Sequence, residues 1–99
     1  MTSNQKKHVR KVNFIDGDSG FFSDGTKFRL ANVRAPEMSQ YGGAKAKNVA
    51  TGMITRSKGN VIVKEVARDK YGRVLVDMTN KDGSINERMR KKGYTNKGR

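Results

Sequence analysis

Three carboxylates and two arginines in this chain have the types and spacing that phosphodiester cleavage calls for. Asp16 and Asp18 flank Gly17, Glu37 follows Pro36, Arg29 sits between Phe28 and Leu30, and Arg73 closes the run Asp69-Lys70-Tyr71-Gly72-Arg73. Cleaving a phosphodiester needs an activated nucleophile, positive charge on the phosphoryl oxygens and usually a metal ion. Asp16 and Asp18 are oxygen donors of the kind a hard cation such as calcium takes, although Asp-Gly-Asp is more often simply a turn. Glu37 can orient or deprotonate water, or it can be an exposed loop carboxylate. Arginine's planar fork can hold two phosphate oxygens at once, which lysine's ammonium cannot. Among 22 basic residues, either arginine taken singly could be a solvated surface charge.

The elements that would position these groups are short. Val9 to Ile15 reads as a first strand that Asp16-Gly17-Asp18 breaks. Gly20 to Ser23 is a second strand. Asp24-Gly25 is a hairpin turn, and Thr26 to Val33 a third strand with Phe28 and Leu30 on one face and Arg29 on the other. Pro36 ends that region. Over residues 42–57 the period changes: Ala46, Val49, Ala50, Met53 and Ile54 form one helical stripe that Ala44 can extend, and Gly59 is a plausible stop. Asn60 to Ala67 is a strand apolar on both faces, and Val74 to Met78 another. Ser84-Ile85-Asn86-Glu87 fits a capping box opening a second helix, which Gly93 can end. Five short strands with a helix after the third and another after the fifth suit a small closed or partly open barrel, while the spacing leaves other α+β arrangements open.

The chain has 99 residues, enough for one domain with a modest core. The expected core is Phe14, Ile15, Phe21, Phe22, Phe28, Leu30, Val33, Val61, Val63, Val74 and Leu75. Residues 1–8 read as a flexible basic segment, 9–94 as the domain and 95–99 as a basic tail. The net charge is +13, from 22 Lys and Arg against 9 Asp and Glu. Such a field draws polyanions, and nucleic acid is the leading partner. A membrane surface is the weaker match, because no long basic amphipathic helix is visible. There is no cysteine, so disulfides and thiolate metal sites are excluded, and the single histidine, His8, cannot make a zinc site alone. No secretory leader is visible, so a cytoplasmic location is expected.

Taken in order, Asp16-Gly17-Asp18, Phe28-Arg29-Leu30 through Ala35-Pro36-Glu37, Tyr41-Gly42, Asp69-Lys70-Tyr71-Gly72-Arg73, and Ile85-Asn86-Glu87 through Gly93-Tyr94 resemble the staphylococcal nuclease (thermonuclease) family from about Val9 to Tyr94. The resemblance implies a mainly β, α+β fold: a five-stranded OB-fold barrel with two flanking helices, lacking the family's third helix. It implies calcium-dependent cleavage of DNA or RNA. By position, Asp18 matches the direct calcium ligand, with Asp16 in support and the Ala35 carbonyl as a further ligand. Glu37 matches the residue that activates water, Arg29 and Arg73 the phosphoryl-neutralising arginines, and Lys70 and Tyr71 the contacts to a terminal phosphate.

One departure bears directly on the metal. The family motif has its second calcium carboxylate where this chain has Arg34, which reverses the charge in the direction that repels a dication. Arg34 either pairs with Asp18 or Glu37 and fills the metal position, or it points away. The expectation is a weakly active or metal-altered phosphodiesterase, monomeric or weakly self-associating. The alternative is a non-catalytic nucleic-acid-binding module on the same barrel.

Overall fold

The computed structural model describes residues 7–55, 58 and 60–95. Its strands are β1 (Lys7–Asp16), β2 (Ser19–Phe22), β3 (Lys27–Leu30), β4 (Asn60–Arg68), β5 (Val74–Asn80) and β6 (Gly83–Ser84); its helices are α1 (Gly43–Thr55) and α2 (Ile85–Lys91). The sheet runs β3-β2-β1-β4-β5-β6, and a parallel pairing of β3 with β5 closes the first five strands into a barrel. The expected five-stranded OB-fold barrel with two helices is therefore present, with β6 as a two-residue addition. Its residues pair with Thr79 and Asn80 as the chain turns toward α2.

Alternation along the strands builds the core. Phe28 is fully buried at its centre, with the Phe14 ring edge-on at 5.4 Å and the Phe22 ring tilted at 5.0 Å. Val61, Val63, Val74, Val76 and Met78 line the barrel wall. From α1 come Ala46, Ala50, Met53 and Ile54, as the helical stripe predicts, but Ala44 is exposed. From α2 come Ile85 and Met89, which the expected core omitted because that helix shows too few turns to reveal a stripe.

Three expected core residues sit elsewhere. Ile15 is 44% exposed, because it follows Phe14 in the alternation along β1 and faces the opposite side from Val12 and Phe14. Phe21 and Leu75 are half-buried, facing away from Phe22, Val74 and Val76 on the opposite side of their strands. The two-faced apolar pattern of β4 resolves similarly: Val61 and Val63 are inside, while Ile62 and Val66 are exposed. A register shift between Glu65 and Ala67 leaves Val66 outside the ladder.

Pairing extends past both expected domain boundaries. Lys7 pairs with Lys64, two residues before the first apolar position, since ladder hydrogen bonds need no apolar side chain. Thr95 pairs with Val33. β3 stops at Leu30 rather than Val33, because Asn32 takes a left-handed backbone (φ 59°) that asparagine tolerates. β2 is Ser19–Phe22, so Ser23 falls outside it, and β5 runs on to Asn80. α2 starts as expected, with Ser84 Oγ accepting the Glu87 N–H at 3.1 Å, and Gly93 follows its C-cap at φ 100°. Gly59, the expected stop of α1, and residues 1–6 and 96–99 lie outside the described residues.

Candidate functional site

The Asp-Gly-Asp turn is held by packing as well as by hydrogen bonds. Gly17 is buried, and a Cβ there would stand 2.7 Å from the Ala46 Cβ and 2.9 Å from the Ala35 Cβ. Only glycine lets the turn lie this close to α1 and to the segment after β3. That contact sets Asp16 and Asp18 against residues 34–38. Asp18 Oδ2 accepts the Ala35 N–H at 3.1 Å, and Asp16 Oδ1 accepts the Met38 N–H at 2.9 Å. The other Asp16 oxygen takes the Ser19 hydroxyl at 3.3 Å.

The segment from Ala31 to Met38 is strapped from several sides. The Ala31 N–H donates to the Val76 carbonyl at 2.9 Å, and the Ala31 carbonyl accepts from Asn86 Nδ2 at 3.0 Å and Arg90 Nη1 at 3.2 Å. The Arg34 N–H donates to the Tyr94 carbonyl at 3.2 Å. Further on, Gln40 Oε1 accepts the Glu37 N–H at 2.9 Å, and Gly43 lies so near that a Cβ would overlap the Glu37 carbonyl oxygen. Glu37 thus rides on a fixed turn while its side chain stays exposed.

Arg29 faces away from Phe28 and Leu30, as the alternation requires, and its Nη2 lies 3.6 Å from Asp18 Oδ2. Arg73 is placed by the β4–β5 turn. Asp69 Oδ1 accepts the N–H groups of Tyr71 and Arg73, both at 2.9 Å, and Asp69 Oδ2 accepts from Arg73 Nε at 2.7 Å. That end-on grip leaves the terminal guanidinium nitrogens of Arg73 for another partner.

These groups meet in one polar cleft of about 500 Å³. Asp16, Asp18, Arg29, Arg34, Glu37 and Arg73 line it, with Ser19, Ala35, Pro36, Gln40 and Thr95. Lys70 and Tyr71 do not line the cleft. They are exposed on the adjoining turn, where the Lys70 Nζ and the Arg73 Cζ lie 5.6 and 5.8 Å from the Tyr71 ring centre. Arg34 is exposed, and among the described residues it forms no ion pair with Asp18 or Glu37; the cation beside Asp18 is Arg29. Of the two readings of Arg34, the one that pairs it with Asp18 or Glu37 has no such ion pair behind it among the described residues; Asp18 pairs with Arg29, whose strand runs alongside Ser19.

Burial of Asp18, 8% exposed, pushes its carboxyl above the usual 3.8 and Asp16 adds to this, while the Ala35 amide and Arg29 oppose it. Asp69 moves the other way. Desolvation raises it, but the Arg73 and Tyr71 amides with the Arg73 guanidinium together hold it below 3.8.

Two positioning residues were not singled out in the sequence. Gln40 fixes the Glu37 turn; its only signal was its place three residues on in a turn-rich stretch. Asn86 is 1% exposed and bonds Met78, Val76 and Ala31 together. Its signal was a polar side chain three residues before Met89, on the inward side of α2.

A closed OB-type barrel with an acid–arginine cleft beside β1, β3 and the segment before α1 has the architecture of a nuclease-type OB-fold domain. A model of the staphylococcal nuclease homologue family matches residues 27–98, and the chain belongs to that family. The match takes in Arg29, Arg34, Ala35, Glu37, Lys70, Tyr71 and Arg73, while Asp16 and Asp18 precede it. No curated protein matches the chain. Among the described residues, no helix is long and apolar enough to cross a membrane.

Proposed function

We propose that this protein cleaves phosphodiester bonds of nucleic acid in the Arg29–Glu37–Arg73 cleft. The observation that carries the reading is the convergence of an exposed carboxylate and three guanidinium groups, from separate parts of the chain, on one polar cleft. In this reading Arg29 and Arg73 bind the phosphoryl oxygens and stabilise the charge that builds up on them. Glu37 takes the proton from the attacking oxygen. The exposed Lys70 and Tyr71 meet the neighbouring phosphate and base, and the net charge of +13 draws the polyanion in.

Calcium is the cofactor that the family implies, and the chemistry of the donor set does not fit it. Calcium takes about six to eight oxygens. Here Asp16 has both oxygens engaged in holding the turn, and Asp18 commits Oδ2 to Ala35 and Arg29. No group of three or more His, Cys, Asp or Glu suited to a metal occurs among the described residues. Arg34 lines the same cleft. No step proposed here passes through a metal.

The test is digestion of RNA, single-stranded DNA and plasmid in calcium, manganese, magnesium and EDTA, against the Arg29→Ala, Glu37→Ala double variant. Cleavage above that control supports the reading. Salt-sensitive binding with no cleavage under any of these conditions would refute it and leave the non-catalytic binding module.

A further inference from the structure

We infer that the nucleophile in this cleft is the substrate's own 2′-hydroxyl, that the substrate class is therefore RNA, and that Arg34 supplies the positive charge a dication would otherwise bring. The inference rests on the cleavage reading above and makes it more specific.

Water and a 2′-hydroxyl make different demands on a cleft. A carboxylate is a weak base toward water, and a dication narrows that gap by lowering the pKa of bound water below the roughly 15.7 of bulk water, to about 7 in the best zinc sites. DNA offers no nucleophile of its own, so its cleavage carries that full demand. RNA places a hydroxyl beside each phosphorus, and well-oriented intramolecular attack can have an effective molarity of about 10⁵ M or more. Such a reaction needs a base and charge stabilisation at the phosphoryl oxygens.

That shorter list is what the cleft contains. Glu37 is the exposed carboxylate, held by its backbone between Gln40 and Gly43. The two aspartates serve the scaffold, bonded to Ser19, Ala35 and Met38. Charge comes from Arg29, Arg73 and Arg34. Of these, Arg29 is beside Asp18 and Arg73 is gripped by Asp69. Arg34 forms no ion pair among the described residues, and it is exposed in the lining of the cleft, where its fork can reach a phosphate. Its backbone is fixed through Tyr94 on one side and the Ala35–Asp18 bond on the other.

The step balances without a co-reactant. Glu37 takes the 2′-hydroxyl proton, and the 2′-oxygen lone pair forms a bond to phosphorus. The bond from phosphorus to the 5′-oxygen breaks, and its electron pair leaves with that oxygen. The protonated Glu37 returns the proton, through solvent, to the 5′-oxygen. The products are a 2′,3′-cyclic phosphate and a 5′-hydroxyl, and the carboxylate is restored.

The experiment uses the full chain and a labelled DNA oligonucleotide carrying one ribonucleotide, with all-DNA and 2′-O-methyl versions beside it, in EDTA and in calcium. The expected result is a single cut after the ribonucleotide, at similar rates in both buffers, ending in a cyclic phosphate. Arg34→Ala should slow that cut by about 10²-fold or more, the loss typical of one oxyanion-stabilising donor. Arg34→Gln should do the same, and unchanged circular dichroism melting in both would show that folding is intact. Glu37→Gln, purified identically, should be inactive and thereby exclude a contaminating ribonuclease. Cleavage of the all-DNA strand, loss of cutting in EDTA, or full activity in Arg34→Ala would each overturn the inference while leaving the cleavage reading in place. No cutting of any strand in either buffer would overturn the inference, and if manganese and magnesium gave no cutting either, the cleavage reading would fall with it.

Discussion

Replacing Asn86 with alanine should destabilise the fold severely, and its hydrogen bonds indicate by how much. Asn86 is 1% exposed. Its Oδ1 accepts the Met78 N–H at 2.9 Å, and its Nδ2 donates to the Ala31 and Val76 carbonyls, each at 3.0 Å. The two carbonyls have second partners, since Arg90 also reaches Ala31 and the Ala31 N–H also reaches Val76. Their loss should therefore cost only the net value of an ordinary hydrogen bond, about 1 kcal/mol each. The Met78 N–H is turned toward Asn86 Oδ1, and a buried donor orphaned by its removal costs about 1–3 kcal/mol. Together these give about 3–5 kcal/mol, a large part of the roughly 5–15 kcal/mol that a domain has in all. With a urea slope of about 1–3 kcal/mol/M, unfolding followed by far-ultraviolet circular dichroism should show the midpoint falling by about 1–5 M with the slope unchanged. Because the Ala31 carbonyl anchors the segment leading to Arg34 and Glu37, nucleic-acid affinity should fall as well, even where the variant is still folded. A loss below about 1 kcal/mol would refute the reasoning, because water or a neighbour would then satisfy Met78.

The remaining predictions concern pH, packing and charge. The folded-state pKa of Asp18 is raised, so its contribution to stability is fullest below its usual 3.8 and is lost as pH rises through the folded value. Asp18→Asn keeps an acceptor for Ala35, so its thermal midpoint should gain on the native chain between about pH 4 and pH 7; a constant difference over that range would contradict this. Gly43→Ala drives a Cβ into the Glu37 carbonyl and should cost about 1–3 kcal/mol, with a larger proportional loss in cleavage than in binding; kinetics at saturating substrate would separate the two. If Arg34 meets a phosphate, Arg34→Ala should reduce the slope of log affinity against log salt on single-stranded RNA by about 0.7. An unchanged slope in fluorescence anisotropy titrations would place Arg34 off the phosphate.

The parts of this molecule legible from sequence are those governed by local rules. The helical stripe from Ala46 to Ile54, the inward Phe28 and Leu30 with Arg29 opposite, and the Ser84 cap all depend on neighbours within a turn or a strand. Ile15, Phe21, Leu75 and Ala44 were misplaced. Ile15, Phe21 and Leu75 each lie next to a buried residue in their strands, and which of two adjacent apolar residues faces inward is set by the packing of the barrel rather than by the residue itself.

The sequence by itself determined the number and kind of the main elements, the net positive charge and the residue types available for chemistry, which follow from periodicity and composition, and through the order of its motifs the family resemblance that implies the five-stranded barrel. Tertiary structure decided what each charged group is free to do. Gly17 against Ala46 and Ala35 brings the aspartates to the segment after β3, where they are bonded into the scaffold. Arg29, rather than Arg34, lies beside Asp18, because the β2–β3 ladder carries it there. Spacing along the chain cannot show that choice. A carboxylate's few acceptor positions go to whichever donors the fold brings within reach, and those donors come from residues far apart in the sequence.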